Sequence, residues 1–152
     1  MEDDPKATAR FLAEQGLIPR AALKEIHYEW LEAWLAHPLH KKARASQRME
    51  RELPFNLLLS SQEALGEPGG DPVMVQGVID LAFLEDGQWV LVDYKTGDVL
   101  PGLEQAYLEH YAQKIRLYKT ALERLTDRPV KEAGIFILPR GMFVKLVDND
   151  GQ

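Results

Sequence analysis

Val73–Leu84 reads VMVQGVIDLAFL and Trp89–Thr96 reads WVLVDYKT, with EDGQ between them. Both stretches are rich in the β-branched and aromatic residues that fit a pleated, half-buried surface. Asp86-Gly87 between them is a strong signal for a tight hairpin turn. The spacing predicts two antiparallel strands side by side, with Asp80 and Asp93 brought near each other. Side chains alternate along a strand, so Asp93 and Lys95 point one way and Tyr94 the other. Trp89 and Leu91 share the Asp93 face, which sets that carboxylate where a buried surface opens into a cleft.

Asp80 sits among Ile79, Leu81 and Phe83, an equally apolar stretch. Two carboxylates held together in such surroundings repel each other, and a divalent cation relieves that cost. Hard oxygen ligands suit Mg²⁺ or Mn²⁺, which keep several waters for substrate and nucleophile. Such an ion lowers the pKa of a bound water and neutralises charge on a phosphodiester. Lys95 would orient the attacking water or stabilise the charge that develops on the phosphoryl group. Glu52, in RELPF at the start of another strand, is a further carboxylate that could reach the same cleft. On spacing alone, the alternative stays open that Asp93 and Lys95 form a strand-end salt bridge and Asp80 a turn or cap.

Upstream, Leu23, Ile26, Trp30, Leu31 and Trp34 recur at helical spacing and predict a helix from Pro19 to His37, ended by Pro38. Leu53 to Leu59 is expected as a strand, and SSQEALGEPGGDP after it as an exposed loop. Downstream of GDVLPG, a long helix carries Tyr107, Tyr111, Ile115, Tyr118, Leu122 and Leu125 as one apolar stripe. DRPV ends it. Ala133–Leu138 and Met142–Val147 then form a closing strand pair around PRG. The order is that of a mixed α/β fold, with residues 1–44 helical and 45–147 the core of a single domain over 1–152.

The chain has no cysteine, which excludes disulfides, Cys-ligated zinc and an iron–sulfur cluster held by these residues. No run approaches the roughly 20 apolar residues of a membrane span. The acidic, polar start MEDDPKATAR does not read as a signal peptide, and a cytoplasmic setting is expected. No G-x-x-x-x-G-K-[ST] loop is present, so no nucleotide site is expected in this chain, and no phosphate-cradling glycine loop supports a small-molecule phosphatase. The net charge of -6 does not favour a nucleic-acid partner. KKARASQRMER, however, sets Lys41, Lys42, Arg44, Arg48 and Arg51 against the single acid Glu50. That run could lie along a phosphate backbone or simply form a solvated face.

RELPF, VQGVIDLAF, WVLVDYKTG, a tyrosine-bearing helix and PVKEAGIFIL, in that order, resemble the RecB-type PD-(D/E)XK nuclease family, in its AddA-like branch. The resemblance covers residues 45–147 well and the N-terminal part more loosely. It implies a restriction-endonuclease-like fold and metal-dependent cleavage of DNA, as in double-strand break processing and recombination repair. By the same match Asp80 and Asp93 would be metal ligands, the Tyr94 carbonyl a third, Lys95 catalytic, and Glu52 the family's glutamate. The partners implied are DNA, a helicase portion of the same parent chain, and a partner subunit.

Two departures from the family pattern stand out. The family places a histidine in a G-T-x-x-H-like context on an N-terminal helix, and His27, His37 and His40 lack that context and are expected as surface or helix-end residues. The usual histidine is therefore expected upstream of Met1, which would make this chain a C-terminal piece with an incomplete site. The second departure is in the helix motif Q-x-x-x-Y. Aligned on Tyr118, it sets Lys114 where glutamine is usual, so either Lys114 or Gln113 would contact phosphate. The alternative to a nuclease is a DNA-binding or protein-interaction module that keeps the fold without catalysis.

Overall fold

The computed structural model describes residues 4–147. Asp4 opens the first helix by accepting from the amides of Lys6 and Ala7 at 3.0 and 3.2 Å, and α1 runs Pro5–Glu14. The helix expected over Pro19–His37 is not continuous. Arg20–Lys24 forms a 3-10 turn, the chain breaks at 25–27, and α2 spans Tyr28–Ala36. Tyr28 Oη donates to the Leu23 carbonyl across the break at 3.3 Å, and α1 packs on both pieces. Packing on α1 overrode a weak helical pattern here.

Pro38 does stop α2, and it also starts α3, Pro38–Ala45, as its first-turn residue. His37 caps α3, its Nδ1 accepting from the Leu39 amide at 3.0 Å. β1 spans Met49–Leu59, four residues longer at its start than expected. The segment after it is not simply an exposed loop. Ser60 and Glu63 form a reciprocal capping box, α4 runs Ser61–Leu65, and Gly66 closes it in a left-handed conformation. Ser61 and Ala64 are buried, and the Glu63–Arg124 ion pair ties α4 to the long helix.

β2 (Val73–Glu85) and β3 (Gln88–Lys95) form the expected hairpin, with positive φ at both Asp86 and Gly87. α5 spans Glu104–Thr126 and ends at a left-handed Asp127. β4 (Val130–Ile137) and β5 (Met142–Lys145) close the chain around a 3-10 turn at Leu138–Arg140. The sheet order is β1-β2-β3-β4-β5, antiparallel except for the parallel β3–β4 pair that α5 connects.

Two apolar layers flank the sheet. On one side Ile79, Ala82, Trp89, Leu91 and Ile135 pack beneath Leu108, Ile115 and Leu122 of α5. On the other, Leu81, Phe83, Val90, Val92 and Phe136 pack against Trp34, Leu39 and Ala43 of α2 and α3. The α5 stripe is rotated from the expected one. Leu108, Ala112, Ile115 and Leu122 are fully buried, the tyrosines form its border, and Leu125 is half exposed. That border is what meets the charged groups described next.

Candidate active site

The β2–β3 ladder pairs Glu85 with Gln88, then Leu84 with Trp89, and continues to Leu81 with Val92, where pairing stops. Asp80 and Asp93 are the next residues on each strand. Beyond that point β2 pairs only with β1, so the two strands part at the carboxylates. β1 is irregular at the same level: Glu52, opposite Asp80 in the register, has φ of 48°, a left-handed value rare for a side-chain-bearing residue. Side-chain alternation breaks there on both strands. Met49 packs on the α2–α3 layer but Leu53, Phe55 and Leu57 on the α5 layer, and Leu81 and Ile79 divide likewise.

At this fork Asp80 Oδ2 accepts from the Tyr94 amide at 2.9 Å, using an N–H that the parted ladder leaves available. Burial pushes the Asp80 carboxyl up, the Asp93 charge beside it adds to that, and the Tyr94 amide and Lys114 oppose it. Asp93 is only 3% exposed. Its Oδ2 lies 2.8 Å from Lys95 Nζ and its Oδ1 lies 3.4 Å from Lys114 Nζ. Among the described residues Oδ2 is a buried oxygen that makes no hydrogen bond, and its close partner is the Lys95 ammonium. The salt bridge between Asp93 and Lys95 that was the alternative to a metal site is thus present, and it sits inside the cluster with Asp80.

α5 supplies the other wall. Lys95 Nζ lies 3.9 Å from the Tyr111 ring centre, a cation–π contact, and Lys114 Nζ lies 5.2 Å from that of Tyr118. Burial works against the Lys114 ammonium, but Asp93 and Tyr118 outweigh it and its pKa is raised. Tyr118 fits because Gly77 carries no side chain: a Cβ there would lie 2.6 Å from its hydroxyl. Gln113 is exposed and one step around the helix, so Lys114 is the residue of that pair on the Asp93 face. Tyr111 under Lys95 was not singled out from the sequence as a site residue. The spacing Tyr107, Tyr111, Lys114, Tyr118 on one helix face was the available signal.

The remaining expected residues are dispersed. Glu52 is exposed, and among the described residues no three His, Cys, Asp or Glu side chains form a metal-binding group. The Tyr94 phenol points away from the carboxylates, edge-on to Trp34 at 5.3 Å, and burial pushes its pKa up to about 12. The basic run is divided. Lys42 pairs with Glu85 at 3.3 Å, and Arg48 pairs with Glu50 and covers Trp89, so both lie toward the hairpin turn. Glu85 is five residues from Asp80, roughly 17 Å along the strand. Lys41 is exposed on α3. Arg44 and Arg51 line a cavity of about 470 Å³ with Trp34, His40 and Tyr94, on the opposite face from Asp93. His40 is a correction: it is buried rather than a surface residue, with Nδ1 3.2 Å from the Leu35 carbonyl. His37 is the helix-end residue expected, and His27 stacks on Trp30.

Two adjacent carboxylates, one with a buried oxygen that lacks a hydrogen bond, fit a hard divalent cation. A family profile described as "PD-(D/E)XK nuclease superfamily" matches residues 2–151. Three relatives share one description, that of an ATP-dependent helicase/nuclease subunit. The one from Thermoanaerobacter sp. (strain X514) is 31% identical over 140 residues, covering 90% of this chain and 11% of that one. The one from Acetivibrio thermocellus is 34% identical over 141 residues, with the same coverages of 90% and 11%. The Bacillus cereus (strain Q1) protein is 33% identical over 133 residues, covering 81% and 11%. This chain therefore spans about 11% of the length of the curated relatives it matches. A solved structure described as "Crystal structure of SSO0001" overlaps with a TM-score of 0.47 at 16% identity, covering 95% of this chain and 62% of that one. The sheet with helices on both faces is restriction-endonuclease-like, and with the profile running nearly end to end the chain belongs to the PD-(D/E)XK nuclease superfamily.

Proposed function

We propose that this chain is a nuclease domain that hydrolyses DNA phosphodiesters with Mg²⁺ or Mn²⁺ at Asp80 and Asp93, as exonuclease or endonuclease. The observation that carries the reading is the fork itself: two carboxylates at the point where β2 and β3 part, with Lys95 2.8 Å from one of them. A cation held there by Asp80, Asp93 and the Tyr94 carbonyl would activate a water and neutralise charge on the scissile phosphate. Lys95, 2.8 Å from Asp93 Oδ2, would present its ammonium toward the developing phosphoryl charge. Tyr111 beneath that ammonium limits its rotamers, so its position is preorganised. Asp80 is oriented by the Tyr94 amide. Glu52 stands opposite Asp80 on β1 and would enter the cleft by a change of rotamer.

Lys114, with Tyr118 on the same helix, would contact the strand backbone near the cut, whereas Gln113 would reach it only after a slight rotation of the helix. Lys41, Lys42, Arg44 and Arg48 would contribute a more distant, salt-sensitive attraction. The relatives' description as helicase/nuclease subunits fits a helicase portion of a longer parent chain and a partner subunit, and we extend that reading to DNA double-strand break repair and recombination in the cytoplasm. Incubation with single-stranded and duplex DNA plus Mn²⁺ tests the proposal. Cleavage that survives both Asp80→Ala and Lys95→Ala would remove this site from the mechanism. DNA binding with no cleavage and no Mn²⁺ binding would mark a binding module instead.

A further inference from the structure

Asp93 is held by two ammonium groups that are not equivalent. Lys95 is 14% exposed in its side chain, 2.8 Å from Oδ2, and seated on the Tyr111 ring at 3.9 Å. Lys114 is 41% exposed, 3.4 Å from Oδ1, and 5.2 Å from the Tyr118 ring centre. The first is packed in place, and the second reaches the carboxylate from the solvent side on a four-carbon stem. A carboxylate as buried as Asp93 is costly without a counter-charge. Two carboxylates and two ammoniums cancel, so the cluster is neutral before any cation arrives.

We propose that Lys114 is a resident substitute for the divalent cation at Asp93, and that metal binding is an exchange in which its ammonium is displaced. This rests on the proposed metal site and adds a role for one residue within it. A dication added to the neutral cluster meets two positive charges within a few ångströms, and the more loosely held one leaves. Once Lys114 has left, the two carboxylates, Lys95 and the dication carry one net positive charge. That charge complements one phosphodiester, and the displaced ammonium is then free to meet the strand on either side of it. The exchange keeps Asp93 compensated when metal is scarce and makes the site weak for metal until DNA competes for the lysine.

Calorimetric titration of Mn²⁺ into wild type, Lys114→Met, Lys114→Gln and Lys145→Met tests the exchange. Lys145→Met removes the same charge from β5 at the far edge of the sheet. Both Lys114 variants should bind Mn²⁺ about tenfold tighter or more, with Lys145→Met near wild type. In the unaltered chain, acylation by an amine-reactive reagent, read by mass spectrometry, should rise at Lys114 on Mn²⁺ saturation and stay constant at Lys95. This second measurement needs no variant to fold. Equal or weaker Mn²⁺ affinity in the Lys114 variants, or unchanged Lys114 labelling on saturation, overturns the exchange and leaves the metal site standing. Absence of Mn²⁺ binding by all four proteins overturns the metal site and the exchange with it.

Discussion

The two ends of the β2–β3 hairpin are built for different tasks. Near the Asp86-Gly87 turn the strands are fully paired, and Phe83, Trp89 and Val90 are at most 1% exposed. At the other end pairing stops, alternation breaks, and two acids meet two lysines with one carboxylate oxygen lacking a hydrogen bond. Apolar burial at the closed end supplies stability, which offsets the cost of grouping buried charges at the open end. A substitution near the turn should therefore change folding, and one at the fork should change chemistry.

The largest expected effect is at the open end. Asp93→Ala or Lys95→Ala should lower the rate of DNA cleavage on the order of 10³-fold or more, with far-UV circular dichroism unchanged. A loss of fold in Lys95→Ala would erase the contrast between the ends. At the closed end, Trp89→Ala should cost about 3–5 kcal/mol in urea unfolding, since a fully buried indole and its bond to Thr126 Oγ1 at 2.8 Å are both lost. Gly77→Ala sharpens the border between the two regions. Its Cβ would displace Tyr118 from β2, and we expect a cost of about 1–3 kcal/mol together with a shift of Lys114 away from Asp93. Nuclear magnetic resonance of the Lys114 side chain checks the second part.

The smallest effect lies outside the hairpin and serves as its control. Burial holds the His37 imidazole below its ordinary pKa while Nδ1 accepts from Leu39. The unfolded chain then binds this proton more readily than the folded one. The stabilisation is full above about pH 6.5 and is lost as pH falls through that value toward the lower folded-state pKa. The cap is worth roughly 1 kcal/mol. His37→Asn keeps a capping acceptor without a titrating group, so its denaturation midpoint should vary less between pH 8 and pH 5 than that of the unaltered chain.

The hairpin was legible because two runs rich in β-branched and aromatic residues, a two-residue turn signal and a pair of acids fall within 24 residues of sequence. The long helix was legible from its period, although its buried face was placed one step off. Tyr107, Tyr111 and Tyr118 are apolar enough to count as core, yet burial went to Leu108, Ala112 and Ile115 and left the rings at the edge. The 60–66 segment was missed although Ser60 and Glu63 stand at capping-box spacing, because Gly and Pro downstream dominated its composition. The break at 25–27 was not legible, since it answers to packing on α1. The basic run from Lys41 to Arg51 was continuous in sequence but is divided in space, because α3 ends at Ala45 and β1 carries the rest past the sheet.

Sequence by itself determined which residues could meet, since the two-residue turn and the strand lengths on either side of it bring Asp80 and Asp93 to the same level of the hairpin. It also determined the chemistry those residues can perform, because that lies in their atoms. Tertiary structure decided which neighbours they have. It set Lys114 rather than Gln113 at Asp93, put Tyr111 beneath Lys95, turned the Tyr94 phenol away, and left Glu52 exposed. The physical reason is range: strand and turn geometry act over a few residues, whereas the seating of α5 on the sheet depends on contacts such as Gly77 with Tyr118, forty-one residues apart in sequence.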